Sequence, residues 1–126
     1  MERSRSYKEL EVWKEAKKLV TEIYQITKKF PDDEKYCLIQ QIRRAAISIP
    51  SNIAEGIGRN HAKDTIQFLY TSRGSLYELE TQIFISFDLN YLNEITLENI
   101  LISCNQVGKL LGGFINYYES KLGSKN

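Results

Sequence analysis

Residues 41–56 read Gln41-Ile42-Arg43-Arg44-Ala45-Ala46-Ile47-Ser48-Ile49-Pro50-Ser51-Asn52-Ile53-Ala54-Glu55-Gly56. Ile42, Ala45, Ile49 and Ile53 recur at three- and four-residue spacing, the period of one helix face. Leu38 and Ile57 continue that face, so the pattern predicts a helix from about Asp33 to Ile57. Pro50 lies inside it and removes one backbone hydrogen bond. The apolar phase survives across the proline, which predicts a kink near Ala46 to Pro50 rather than two separate helices. Gly56 and Gly58 supply the exit.

Upstream, Leu10, Trp13, Ala16, Val20, Ile23, Tyr24 and Phe30 outline a first helix over Tyr7 to Lys29. Pro31 ends it, because the residue before a proline is pushed out of helical geometry. Asp32 is placed to cap the second helix, with Asp33 and Glu34 near the positive end of its dipole. Downstream, Asn60 is placed to cap a third helix ending near Leu89, with Ile66, Leu69, Tyr70, Leu76, Tyr77, Phe84 and Phe87 as its main stripe. Thr96 then caps a fourth helix running to about Leu122, with Gly123 as its stop. Its stripe is Leu97, Ile100, Leu101, Cys104, Val107, Leu111, Phe114 or Ile115, and Tyr118. No segment alternates like a strand. The expectation is an all-α protein, an antiparallel up-down-up-down four-helix bundle with a proline-kinked second helix. It forms one domain over residues 1–126, with short flexible ends at 1–6 and 123–126.

A length of 126 residues suits one domain, and 42% hydrophobic with 26% charged residues excludes disorder and low complexity. Two cysteines, Cys37 and Cys104, cannot build a disulfide framework and read as free, buried thiols of a reducing compartment. No apolar run approaches the roughly 18 residues that span a bilayer, and the first six residues lack the apolar core of a signal peptide. A cytoplasmic location without membrane contact is expected. His61 is the only histidine, so a Ser-His-Asp triad or a multi-histidine metal site lacks parts. There is no Glu-x-x-His pair, no Cys-x-x-Cys and no phosphate-binding glycine loop. Hence no catalytic, metal or cofactor-binding residue is assigned, no cofactor is expected, and the chain reads as non-enzymatic. An enzyme would need carboxylates such as Glu55, Glu78 and Glu80 to converge on a cleft.

Two features exceed what a solitary bundle needs. Arg44, Ser48, Ser51, Asn52, Glu55 and Arg59 lie along one side of the second helix as an organised polar band. On the third helix, Phe68 and Leu79 form a second apolar ridge interleaved with Ser72 and Ser75, and Gly74 permits close approach. Ser48, Ser51, Asn52, Glu55, Phe68, Ser72, Ser75 and Leu79 are therefore the candidate oligomer interface. Glu80 and Arg73 fall within the third helix's apolar stripe. Because carboxylates are seldom buried alone, Glu80 is expected to pair with Arg73, Arg44 or a tyrosine hydroxyl.

The net charge is only +1, but it is unevenly placed. Residues 1–63 hold 13 Lys/Arg against 9 Asp/Glu (+4), and residues 64–126 hold 4 against 7 (−3). Arg43, Arg44, Arg59, His61 and Lys63 form one candidate nucleic-acid patch, and Lys14, Lys17 and Lys18 a second. Repeating a weak patch around a homo-oligomer raises avidity without strong charge on one copy. RNA or DNA is the first partner class on this reading. The alternative is a protein-interaction scaffold or accessory subunit that binds a protein partner and no nucleic acid.

The run Ser48-Ile49-Pro50-Ser51-Asn52-Ile53-Ala54-Glu55-Gly56 after Gln41-Ile42-Arg43-Arg44-Ala45-Ala46 is distinctive. Together with Phe68-Leu69, Arg73-Gly74-Ser75-Leu76-Tyr77-Glu78-Leu79-Glu80-Thr81-Gln82, the opening Leu10-Glu11-Val12-Trp13-Lys14-Glu15-Ala16 and the Phe30-Pro31 stop, it resembles a bacterial four-helix-bundle family. Its members are encoded in intervening sequences of 23S rRNA genes. The resemblance implies a kinked up-down bundle, often assembled as a homopentamer. It also points to the accessory bundles of diversity-generating retroelements, in which a basic pentameric barrel engages nucleic acid and a reverse transcriptase. The near-neutral charge of this chain departs from that strongly basic surface.

Overall fold

The computed structural model describes residues 6–123, and among these every regular element is helical. The four long elements are α1 (Glu11–Thr27), α2 (Leu38–Ile57), α3 (Ala62–Asp88) and α4 (Glu94–Gly123), with single 3-10 turns at Tyr7–Glu9 and Asp32–Glu34. Of the expected flexible ends, only Ser6 and Gly123 fall among the described residues. Ser6 accepts the Lys8 backbone N–H at 3.1 Å, and Gly123 is the last residue of α4.

Contacts between helices fix the directions. Gly56 meets Thr65, Ile49 meets Ser72, and Ser48 meets Ser75, so α2 and α3 run antiparallel. Tyr70 donates to Glu119 and Leu76 packs on Gly108, which sets α4 against α3 in the same sense. The first helix packs on α2 and α4 but not on α3, so α1 and α3 are diagonal partners. The result is a four-helix bundle in which α2, α3 and α4 alternate in direction. Its core comes from all four helices, with Leu19, Ile23, Ile42, Ile49, Leu69, Leu76, Leu79, Ile83 and Leu111 fully enclosed.

Pro50 is buried inside one continuous helix, so the segment is not divided there. Several boundaries move for local reasons. The tight turn at Asp32–Glu34 delays α2 to Leu38, and Asp32 caps nothing. Instead Glu34 accepts the Tyr91 hydroxyl at 2.6 Å, tying the α1–α2 corner to the α3–α4 turn. That hydrogen bond pushes the Tyr91 phenol up to about 12. His61, not Asn60, occupies the residue before α3, and its side chain caps nothing. Asn93 replaces Thr96 as the cap of α4, its Oδ1 accepting the Thr96 N–H at 2.8 Å.

The α3–α4 turn has a clear cause. Asn90 takes φ 66°, the left-handed region that Asn tolerates better than most side chains. From there the Tyr91 N–H reaches the Ser86 carbonyl and the Asn90 N–H reaches the Phe87 carbonyl, both at 2.9 Å. This pair of bonds closes the open end of α3.

The buried face of α3 is rotated from the expected stripe. Thr65, Ile66, Leu69, Ser72, Leu76, Leu79, Ile83 and Ser86 face inward, whereas Tyr77 and Phe84 are exposed. Two serines can occupy a helix core because their hydroxyls find carbonyls: Ser72 Oγ donates to Ile49 O and Ser86 Oγ to Gln82 O, each at 2.8 Å. With those inner positions filled, the aromatic rings turn outward.

Candidate functional site

The small polar residues assigned to an oligomer interface converge within one chain, between α2 and α3. Asn52 Nδ2 donates to Ser48 O at 2.8 Å and to Ser48 Oγ at 2.9 Å, and Ser48 Oγ lies 2.9 Å from Ser75 Oγ. Ser72 and Leu79 are wholly enclosed, so neither presents surface to another copy. The tightest approach is at Gly56: a Cβ there would lie 2.9 Å from Phe68 Cβ and 3.2 Å from the Thr65 carbonyl. Gly74, expected to serve close approach, has open space around it. Of the interface set, Ser51 and Glu55 remain exposed, and Phe68 is half-buried beneath the Arg59 guanidinium, 4.6 Å from its ring centre.

The basic candidates split into three places. Arg59, His61 and Lys63 sit at the α2–α3 turn, where Arg59 also pairs with Glu55 at 2.9 Å. Arg43 and Arg44 lie near the other end of α2, about 22 Å away at 1.5 Å per helical residue. Lys14, Lys17 and Lys18 are exposed on α1; Lys17 covers the Trp13 ring at 4.7 Å and Lys18 reaches Glu15 at 3.4 Å. Arg43 is only partly available. Its Nε donates to Thr27 Oγ1 at 2.9 Å, its Nη2 to Tyr24 O at 3.3 Å, and its guanidinium lies 4.2 Å from the Tyr24 ring centre.

Because α1 and α3 are diagonal, the outer α1–α2 and α3–α4 seams face opposite ways. The α1–α2 groove, about 610 Å³, is lined by Tyr24, Lys35, Tyr36, Arg43, Arg44 and Ile47 among others. Among the described residues, three cations and no carboxylate line it. Lys35 and Tyr36 were missed in the sequence, because their relation to Arg44 exists only once the turn before α2 is formed. On the other side, Glu80, Phe84, Leu101, Ile102 and Asn105 line a shallower groove of about 430 Å³.

Glu80 does not pair as expected. It meets no hydrogen-bond or ion-pair partner among the described residues, while Arg73 stacks over Tyr70 at 5.2 Å. Burial pushes the Glu80 carboxyl up. The protonated form is therefore favoured in the fold, and stability falls as pH rises from below the unfolded value through the folded one. Glu80→Gln is expected to raise Tm at about pH 7 and leave it unchanged near pH 3. Thermal melts followed by circular dichroism check this. A lower Tm at neutral pH would reveal a cation that the single chain does not supply.

Glu55, Glu78 and Glu80 form no common site: Glu55 pairs with Arg59, and Glu78 accepts from Gln82 at 3.3 Å. Among the described residues, no cluster of His, Cys, Asp or Glu is arranged to hold a metal. Among the described residues, no helix is long and apolar enough to cross a membrane. Cys37 is exposed rather than buried, because it falls in the turn before α2; Cys104 is enclosed, and burial pushes its thiol up to about 12.

This architecture has a solved counterpart. A Bacteroides thetaiotaomicron protein of unknown function, described as from the S23 ribosomal protein family, superposes with a TM-score of 0.77. The match is 23% identical and covers 82% of this chain and 97% of the other, which establishes likeness of fold. No curated protein matches the chain. Matched by the family model over residues 8–113, the chain belongs to the 23S rRNA-intervening sequence protein family.

Proposed function

We propose that this chain is a non-enzymatic bundle that self-assembles and binds nucleic acid, structured RNA foremost, through weakly basic patches repeated by symmetry. The observation that carries the reading is the outer surface of α3 and α4. There Tyr77, Phe84 and Ile102 stand 57%, 48% and 59% exposed. Apolar side chains gathered on one face of a small domain mark an association surface. Assembly through α3 and α4 leaves the more basic α1–α2 half outward, where each copy adds its cations to a common surface. Glu55, Glu78 and Glu80 do not converge on one site, which the enzyme reading would need.

Light scattering at micromolar concentration is expected to return a multiple of the 14.7 kDa chain mass. The double change Phe84→Asp and Ile102→Asp should release smaller species with helicity retained, since both side chains are already exposed. RNA binding should weaken steeply between about 50 and 200 mM salt, as phosphate contacts require. A monomer mass for the unaltered chain would remove the assembly, and binding absent at low salt would remove the nucleic acid.

A further inference from the structure

We propose that the outer α1–α2 groove holds a single-stranded stretch of polynucleotide, with a base laid on Tyr36 and neighbouring phosphates on Arg44 and Lys35. This rests on the nucleic-acid reading above and names where, and in what form, the strand is held.

Tyr36 is 82% exposed, the most open of the large apolar side chains among the described residues. The turn before α2 carries it, and Lys35 Nζ lies 5.6 Å from its ring centre. An aromatic face flanked by a cation suits an unstacked base with its phosphate: the ring stacks on the base and the ammonium meets the backbone. Two turns along α2, Arg44 is exposed and has no partner among the described residues. Its guanidinium is free for bidentate phosphate contact.

Arg43 and Tyr24 line the same groove. The three contacts of Arg43 to α1 hold its guanidinium 4.2 Å from the Tyr24 ring centre, so its charge is displayed in one position. Ile39 and Ile47 supply apolar floor. Phosphates, bases and sugars thus each find a matching surface, and among the described residues no carboxylate lines the groove to repel the strand. An acidic peptide would answer the cations but leave the Tyr36 face without a planar partner. A duplex keeps its bases stacked on one another and cannot offer one to Tyr36, so loops and unpaired stretches of a structured RNA are the expected ligands.

The test is fluorescence anisotropy of the full chain with a labelled single-stranded RNA of about 12 nucleotides at low salt. Tyr36→Ala is expected to weaken binding on the order of tenfold, whereas Tyr36→Phe, which keeps the ring, stays within about twofold. Arg44→Gln should reduce the slope of log affinity against log salt by about 0.7, the loss of one single-strand phosphate contact. The duplex of the same sequence should bind more weakly than the single strand. Both altered side chains are exposed, and a far-ultraviolet spectrum confirms that the fold is kept. Unchanged binding in Tyr36→Ala and Arg44→Gln, equal binding of the duplex, or displacement of the RNA by an equal length of polyglutamate at matching concentration would each overturn the groove. If RNA binds and only Arg59→Gln with Lys63→Gln abolishes it, the groove is wrong while the proposed function stands. If the unaltered chain binds no RNA, both fall.

Discussion

Leu79→Asp is expected to abolish the folded state, leaving a chain without native helicity or a cooperative melt. Leu79 has no exposed surface and sits among the core side chains of all four helices. Loss of a buried leucine costs about 2–5 kcal/mol in comparable cores. A carboxylate placed there without a cation adds several kcal/mol more. Together these match or exceed the roughly 5–15 kcal/mol that holds a small domain folded. Far-ultraviolet circular dichroism with a urea titration measures the outcome. Helicity and a cooperative transition like those of the unaltered chain would show that Leu79 is not in the core. The contrast with Phe84→Asp is diagnostic, because the two residues share a helix but not a face.

Gly56→Val is expected to cost about 2–3 kcal/mol, lowering Tm by about 10 °C. Gly56 lies in the last turn of α2, where a residue with a side chain would ordinarily gain up to about 1 kcal/mol of helix propensity. Here the crossing of α2 and α3 decides otherwise. Even a single Cβ would come within 2.9 Å of Phe68 Cβ, an atom fixed to the backbone of α3, and within 3.2 Å of the Thr65 carbonyl. The added methyls of valine would push the helices apart. The bond from Thr65 Oγ1 to Gly56 O, 2.7 Å, would lengthen or break with them. The same substitution at Gly74, where a Cβ would meet no atom of a neighbouring helix within 4 Å among the described residues, should change stability by much less. Thermal melts of the two variants side by side check this, and equal melts would show that the seam has slack.

Both outcomes turn on a face that the amino-acid pattern misassigned. Tyr77 and Phe84 share a helical stripe with Leu69 and Leu76 as well as any core residue does, and hydropathy ranks them above serine. What it lacks is the partner: Ser72 becomes a core residue only because the Ile49 carbonyl of α2 stands 2.8 Å away. The Ser48–Ser75 contact and the Gly56–Phe68 approach likewise pair residues 27 and 12 positions apart. Small residues on two helices therefore looked like surfaces awaiting another copy when each was the other's partner. Glu80 was misread for a related reason, since its place at the edge of the α3–α4 groove offers partial burial without a cation.

By itself the sequence determined the four helices, the approximate positions of their breaks and the persistence of α2 through Pro50. Those follow from near-neighbour physics: apolar spacing, the backbone limits of proline, and turns rich in Gly, Asn and Asp. Only the tertiary structure decided which face of α3 is core, which arginines are held by neighbouring helices, and that Lys35, Tyr36 and Arg44 share one groove. These depend on how helices are rotated about their own axes, and a rotation of one residue, about 100°, exchanges buried for exposed side chains. That rotation is set by interhelical packing and hydrogen bonds between residues remote in sequence, which no local pattern records.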